Sequence, residues 1–208
     1  YNEPEDANVE NNLPVDVRSK DSALHFLFLI MEELKDQGRA AMILPNGPLF
    51  GTGKSVTLKQ ILIEKCNLHT IIRLPESIFS PRAGIATNIL FFQKGTPTKE
   101  IWYYQMRVPE RIRDSSKKVK QLKFSFNKNP MEIQDFDKIL AWFEDKKETD
   151  DAWVVPMEDI IKNNYNLDIS NPKDIEPTMD LSPHELIQQI ISDEKKTLTL
   201  LEDIKKLI

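Results

Sequence analysis

The sequence contains few of the cysteine and histidine residues on which disulfide-bonded or metal-binding folds depend. Among its 208 residues there is one cysteine, Cys66, and there are three histidines, His25, His69 and His184. A single thiol cannot close an intramolecular disulfide, and histidines so far apart in the sequence lack the spacing of a zinc site. A reducing cytoplasm is therefore the expected compartment, with Cys66 as a small buried hydrophobic residue.

Long apolar runs are also absent. No run approaches the roughly 20 residues that a membrane helix needs, and residues 1–6 have neither the basic nor the apolar region of a targeting peptide. A soluble protein without a membrane partner is predicted. Because the chain begins with Tyr1 and not with methionine, we expect a fragment or a processed chain.

Positive charge is in deficit over the whole chain but not locally. The net charge of -5 argues against a stand-alone nucleic-acid-binding domain, which is usually basic. Residues 107–128 nevertheless carry an excess of basic side chains, and residues 132–151 carry an excess of acidic ones. The favoured interpretation is two solvated surface segments with partly compensating charges, and the alternative is a phosphate-binding strip.

The apolar pattern predicts alternating helices and strands after an acidic loop over residues 1–20. A helix is expected from Ser22 as its N-cap, apolar on nearly all sides through Met31 and ended by Gly38, and therefore buried against a sheet. The run 39–44 predicts a parallel strand covered on both faces. Next come a predicted helix at 54–65 and predicted strands at 68–74, 85–92 and 101–106. This order indicates a doubly wound α/β fold that ends in a hairpin, which gives the sheet an antiparallel end.

The remaining chain predicts an α+β extension and a final helix. A helix is expected at 133–143, a strand at 153–155, a helix at 157–163 and a helix at 183–208. The last helix carries five apolar residues at the a and d positions of a heptad pattern, which Glu194 and Thr197 interrupt. These five residues are Ile187, Ile190, Leu201, Ile204 and Ile208.

Two short motifs are interpreted as turns. The stretch 51–55, Gly-Thr-Gly-Lys-Ser, is similar to a phosphate-binding loop, but Pro48 stands where that motif needs its first glycine and removes an N–H. We therefore expect a tight turn followed by a helix. The stretch 129–132, Asn-Pro-Met-Glu, lacks the second proline and the aromatic residue of the Asn-Pro-Pro-aromatic motif of amino-methyltransferases. It is interpreted as a turn before a helix.

Five segments carry a resemblance to a known family, namely residues 38–50, 67–75, 79–95, 98–104 and 164–172. Taken together and in this order, they resemble the modification (M) subunit of type I restriction-modification systems, an N6-adenine DNA methyltransferase. The resemblance implies the C-terminal part of a Rossmann-like methyltransferase sheet, namely its fifth to seventh strands, with a helical extension. The division expected from it is a lead-in at 1–20, a partial methyltransferase domain at 21–107, an α+β extension at 108–173, a linker at 174–182 and a subunit-contact helix at 183–208.

The resemblance also implies what the chain does not contain. The Gly-rich S-adenosylmethionine loop of the family and its Asn-Pro-Pro-aromatic motif both precede the matched region, and neither occurs here. The parent protein is expected to use S-adenosylmethionine to methylate adenine N6. The chain alone is expected to hold no catalytic residue, to bind no cofactor or metal, and to be inactive.

By resemblance, this chain contributes contacts to DNA and to other subunits. Phe79 matches the aromatic residue that packs on the flipped adenine in related enzymes, and Arg82 is a candidate phosphate contact; the alternative for Phe79 is an ordinary core aromatic. The expected partners are double-stranded DNA, the specificity (S) subunit and the restriction (R) subunit. The second functional hypothesis is an interaction module whose final helix docks on the S subunit without a catalytic role.

Overall fold

The computed structural model describes residues 13–76, 78–80, 82–109 and 130–174, and the single positions 187, 188, 191, 192, 194, 197 and 205. The chain divides into two compact units, Tyr1–Lys173 and Asp174–Ile208. The described residues from 187 onward are helical. No helix among the described residues is long and apolar enough to cross a membrane. The finer division into five segments stays a prediction.

The first unit is a mixed α/β structure, as the sequence predicts. Its strands are β1 (Arg39–Pro45), β2 (Cys66–Arg73), β3 (Thr87–Lys94), β4 (Glu100–Gln105) and β5 (Ala152–Pro156). Its α-helices are α1 (Ser22–Glu33), α2 (Asn46–Phe50), α3 (Lys54–Lys65), α4 (Asp137–Glu144) and α5 (Met157–Lys162). Short 3-10 helices lie at Val15–Val17 and Ile133–Phe136. The predicted helix at 133–143 is thus a 3-10 turn followed by α4.

The five strands form one sheet in the order β1-β3-β2-β4-β5. β3 lies between β1 and β2 and is antiparallel to both, β2 is parallel to β4, and β5 is antiparallel to β4. The predicted hairpin and the antiparallel end of the sheet are confirmed.

The prediction of a parallel β1 covered on both faces is wrong. β1 is an edge strand of this sheet and pairs antiparallel with β3, from Arg39 opposite Gln93 to Pro45 opposite Thr87. Its burial alternates, so that Met42 and Leu44 are buried while Ile43 is 42% exposed. A continuous apolar run does not reveal which neighbour a strand takes, because that choice depends on a hairpin formed more than 40 residues later.

Helix α1 begins one residue earlier than predicted. The Oδ1 atom of Asp21 accepts a hydrogen bond from the backbone N–H of Ala23 at 2.9 Å, so Asp21 is the N-cap and Ser22 lies in the first turn. The helix ends at Glu33, before Gly38. Burial on nearly all sides is also wrong, because Phe26 and Leu29 are about half exposed.

Both faces of the sheet carry a hydrophobic core. On one face α1 and α3 pack on the sheet, and the cluster includes Leu27, Leu62 and Ile71. On the other face α4 packs through Trp142 on a cluster that includes Ile72. Consecutive residues of β2 belong to different clusters because side chains alternate across a strand.

Candidate functional site at the carboxyl edge of the sheet

Three strands end at the same edge of the sheet. β1 and β2 both run antiparallel to β3, and β4 runs parallel to β2, so β1, β2 and β4 point the same way. We call the region after Pro45, Arg73 and Gln105 the carboxyl edge. Open α/β sheets usually bind their ligands beyond the carboxyl ends of their strands. The carboxyl edge is therefore the first place to look for a site.

The loop between β2 and β3 carries both residues that the sequence predicts as DNA contacts. The ends of this loop, residues 74–86, are joined by a hydrogen bond from Leu74 N to Thr87 O at 2.9 Å, and Asn46 N bonds to Ala86 O at 3.1 Å. Phe79 is 37% exposed, lies outside both core clusters, and accepts from Ala83 N through its backbone carbonyl. Arg82 is also exposed. The loop thus has firmly held ends and presents an aromatic ring and a guanidinium at the carboxyl edge.

A buried lysine closes the turn after β1. The ammonium group of Lys59, from α3, donates to the carbonyls of Leu49 at 2.7 Å and Gly51 at 3.1 Å. The side chain is 2% exposed, and burial lowers its pKa to about 8. Gly53 has φ of 60° and immediately precedes α3. The prediction of a tight turn leading into a helix is confirmed.

A segment from the far end of the first unit crosses this edge. We call residues 164–171 the strap. Its first two residues, Asn164 and Tyr165, have φ of 50° and 57° and turn the chain away from α5. The backbone N–H of Leu167 donates to Leu49 O at 3.1 Å, and the hydroxyl of Tyr103 donates to Leu167 O at 3.1 Å. The strap is thus tied both to the turn after β1 and to β4.

Four polar side chains meet where the strap crosses the ends of the strands. Asp168 accepts from the guanidinium Nη1 of Arg73 at 2.5 Å and from the amide of Asn46 at 3.4 Å. Asn46 in turn accepts through its Oδ1 from the amide of Asn88. We call Asn46, Arg73, Asn88 and Asp168 the polar cluster. None of the four is predicted as a site residue, although each lies in a different one of the five family-like segments.

A second polar group lies on the sheet face under α4, away from the carboxyl edge. The ammonium of Lys146 donates to Thr70 Oγ1 at 2.6 Å and lies 4.9 Å from the ring centre of Phe143. Burial, with a smaller contribution from Lys146, lowers the pKa of His69 to about 4. His69 is therefore neutral near pH 7. We interpret His69, Thr70, Phe143 and Lys146 as side chains that pack the sheet against α4 and the residues after it.

The other possible metal ligands and nucleophiles, Cys66 and His25, are buried side chains of the folded core. Cys66 is a buried free thiol, as predicted, and burial raises its pKa. His25 is 6% exposed, and its ring nitrogens have no hydrogen-bond partner among the described residues. Within the described part of the chain no cluster of three or more His, Cys, Asp or Glu could hold a metal ion. His184 lies outside the described residues.

Little of the predicted subunit-contact surface is described. Ile187 is helical and 55% exposed, and Ile191, four residues later in the sequence, is also helical and 41% exposed. Ile191 is not among the five residues of the predicted heptad stripe. Outside the described residues lie Ile190, Leu201, Ile204, Ile208, most of the basic segment 107–128 and Asn129.

Comparisons with known proteins agree on one family. The model of the family described as N-6 DNA Methylase matches residues 2–180. The EcoEI methylase subunit, a type I restriction enzyme subunit of Escherichia coli, is 42% identical over 192 residues, which cover 89% of this chain and 37% of that protein.

Solved structures lead to the same family. The crystal structure of a modification subunit of a putative type I restriction enzyme from Vibrio vulnificus matches with a TM-score of 0.74 and 36% identity, over 85% of this chain and 37% of that one. A structure from work on complex assembly and conformational transition of the type I restriction-modification system matches with a TM-score of 0.72 and 30% identity, over 98% and 42%. The chain spans less than half the length of each of these relatives.

Proposed function

The chain belongs to the N-6 DNA methylase family, and we propose that it is the C-terminal part of a type I methylase subunit that methylates adenine N6 in double-stranded DNA. The observation that carries this proposal is the 42% identity to a type I methylase subunit over 89% of the chain. The proposed location is the cytoplasm.

The glycine turn after β1 does not fit the cofactor that this reaction needs. S-adenosylmethionine supplies the methyl group when it is bound. The glycine turn after β1 is closed by the buried ammonium of Lys59, which faces the carbonyls of Leu49 and Gly51. The 208 residues also contain no Asn-Pro-Pro-aromatic motif, whose amide and carbonyl oxygens accept hydrogen bonds from the adenine amine. Cofactor binding and the acceptors for N6 are assigned to the rest of the methylase subunit.

The role left to this chain is to receive the target base. An enzyme that modifies a base inside a duplex must first flip that base out of the stack, and flipped bases are held between aromatic or apolar side chains. Phe79 provides such a ring, because it is 37% exposed at the carboxyl edge on a loop with fixed ends. Arg82, three residues later and exposed, is proposed to contact a DNA phosphate.

A second function is supported by a separate observation. Ile187 and Ile191 of the second unit are both helical and exposed, and they lie four residues apart in the sequence. We propose that a partner covers these apolar side chains and that this partner is the specificity subunit, in a complex that also contains the restriction subunit. As an interaction module, the chain would act without touching the base.

The first prediction tests the base contact in the complete methylase subunit. Phe79→Ala should lower the rate of adenine methylation by about tenfold or more, since loss of base stacking costs about 1–3 kcal/mol. The affinity for S-adenosylmethionine should stay nearly unchanged. Leu140→Ala, which removes a 59% exposed side chain from α4, is the matched control. If Phe79→Ala instead lowers the melting temperature by the amount expected for a core aromatic, the ring serves packing and not the base.

The second prediction concerns the isolated 208-residue chain. It should neither bind S-adenosylmethionine nor transfer a methyl group, because the cofactor loop and the adenine acceptors are assigned elsewhere. Titration calorimetry is the measurement. A dissociation constant tighter than about 100 μM, which corresponds to about -5.5 kcal/mol, would contradict this assignment.

A further inference from the structure

Asp168 holds a guanidinium that the sheet partly buries. The side chains of Arg73 and Asp168 are 16% and 21% exposed, and the distance from Nη1 to Oδ1 is 2.5 Å. The same Nη1 donates to the carbonyl of Ile169 at 3.0 Å. A guanidinium at this depth needs a charged partner, because removing one member of a buried pair costs more than the pair contributes.

The contacts of Asp168 reach both ends of the loop that carries Phe79. Arg73 is the last residue of β2, and the loop begins at the next residue. Asn46 donates to Asp168 and accepts from Asn88, which is the second residue of β3. One carboxylate from the strap is therefore connected to the start of the loop directly and to its end through a single intermediate side chain.

The strap is itself anchored independently of Asp168. Leu167 is fully buried in the core, and its backbone N–H and C=O bond to Leu49 and Tyr103. Asn171 donates to the carbonyl of Asp150 at 2.7 Å. A substitution at 168 should therefore remove the contacts of this side chain with Arg73 and Asn46 while the strap and the backbone hydrogen bonds at the loop ends stay in place.

We propose that Asp168 is a positioning residue of the methylase: through Arg73 and Asn46 it sets the ends of the β2–β3 loop and thereby the place of the Phe79 ring. This inference rests on the proposed base contact of Phe79. A displacement of about 1 Å in a group that orients a substrate can lower a rate by as much as a hundredfold. Asp168 acts on the reaction without touching the base, the cofactor or the reacting atoms.

Hydrogen exchange of the isolated chain tests the positioning without any DNA. Asp168→Asn keeps the size of the side chain but removes the charge that holds Arg73. Amides of residues 78–86 should exchange about tenfold faster in this variant, while the exchange of β2 and β3 stays as in the parent chain. Asp151→Asn is the matched control, since it breaks another Arg–Asp pair, with Arg107 at 2.7 Å, that does not reach the loop.

Methylation by the complete subunit tests the functional consequence. Asp168→Asn should lower kcat about tenfold and leave the affinity for S-adenosylmethionine unchanged, and Asp168→Glu should restore part of the rate because it keeps the charge. If Asp168→Asn does not fold, Arg73→Lys takes its place, because it keeps the charge and loses the fixed geometry of the guanidinium.

Each outcome decides a different point. Unchanged exchange at residues 78–86 overturns the positioning role, whatever Phe79→Ala does to methylation. Faster exchange combined with normal methylation in both Asp168→Asn and Phe79→Ala overturns the base contact of Phe79, and with it the inference that depends on it. Faster exchange, a lower kcat and partial rescue by glutamate support the proposal.

Discussion

Lys59 is a charged side chain that the fold buries almost completely. It is 2% exposed, and its hydrogen-bond partners are the carbonyls of Leu49 and Gly51; within the described part of the chain no carboxylate forms an ion pair with it. Carbonyl dipoles offset only part of the free energy of desolvation, so the pKa of Lys59 falls from 10.5 to about 8. Lys59 thus closes the turn after β1, and the free energy of burying its charge depends on pH.

Stability should therefore rise with pH relative to a variant without this group. Between pH values of about 8 and 10.5 the unfolded chain binds more protons at position 59 than the folded chain, so the free energy of unfolding increases with pH. From about pH 7 to about pH 9.5 the gain should be about 2 kcal/mol. The free energy of unfolding of the parent chain and of Lys59→Met is measured by denaturant unfolding at several pH values. The parent value minus the Lys59→Met value should increase by this amount over the pH range.

The comparison with Lys59→Met removes the effects of other groups. Burial raises the pKa of Tyr103, which lowers stability at alkaline pH, but it does so equally in both chains. A difference between the two chains that stays constant over this pH range would show that Lys59 titrates normally in the folded protein.

Among the elements, the turn between α2 and α3 depends on one glycine. Gly53 has φ of 60° and ψ of -122°, a combination that residues with a side chain adopt only under strain. A methyl group at this position would meet no atom within 4 Å, so the whole effect of a substitution comes from the backbone. This turn places α3, and α3 places Lys59.

Gly53→Ala should therefore lower the free energy of unfolding by about 1–3 kcal/mol. Gly84→Ala is the matched control, because its Cβ also meets no atom within 4 Å and its φ lies outside the left-handed region. It should change stability by no more than about 1 kcal/mol. Equal effects of the two substitutions, measured by denaturant unfolding, would show that the turn relaxes at no cost.

For the whole molecule, the two units are proposed to have different tasks. The first contains the sheet, the carboxyl edge and the strap, and the second contains the helical residues Ile187 and Ile191 with their exposed apolar side chains. The second unit begins at Asp174, and the Pro-containing linker that the sequence predicts at 174–182 is its first part. Assembly and base contact are thus expected to be separable by deletion.

Deletion of residues 183–208 should abolish co-purification with the specificity subunit and leave the first unit folded. The deletion removes the apolar heptad stripe, and among the described residues both hydrophobic core clusters lie before residue 183. Affinity co-purification and circular dichroism are the two measurements. If the shortened chain still binds the specificity subunit, the interface lies on the α/β portion and not on the final helix.

Local pattern alone determined most elements of the fold. The amphipathic spacing of α3 and the apolar runs of β2, β3 and β4 correctly predict those elements to within about two residues, because helix and strand periods are properties of the nearby sequence. The close coupling of β2 and β3 predicts their antiparallel pairing for the same reason. The family-like segments likewise identify the family without reference to any contact.

The tertiary structure determined the features that depend on contacts between residues far apart in the sequence. β1 takes an antiparallel neighbour because β3 enters between β1 and β2, and no local pattern in residues 39–44 encodes that event. The hydrogen bonds of the polar cluster join residues 42, 95 and 122 positions apart. Asn46, Arg73 and Asp168 look like ordinary turn and surface residues until the fold brings the ends of the strands and the strap to one edge. Periodicity reports which face of an element is buried, whereas a site made of polar side chains exists only where several elements end together.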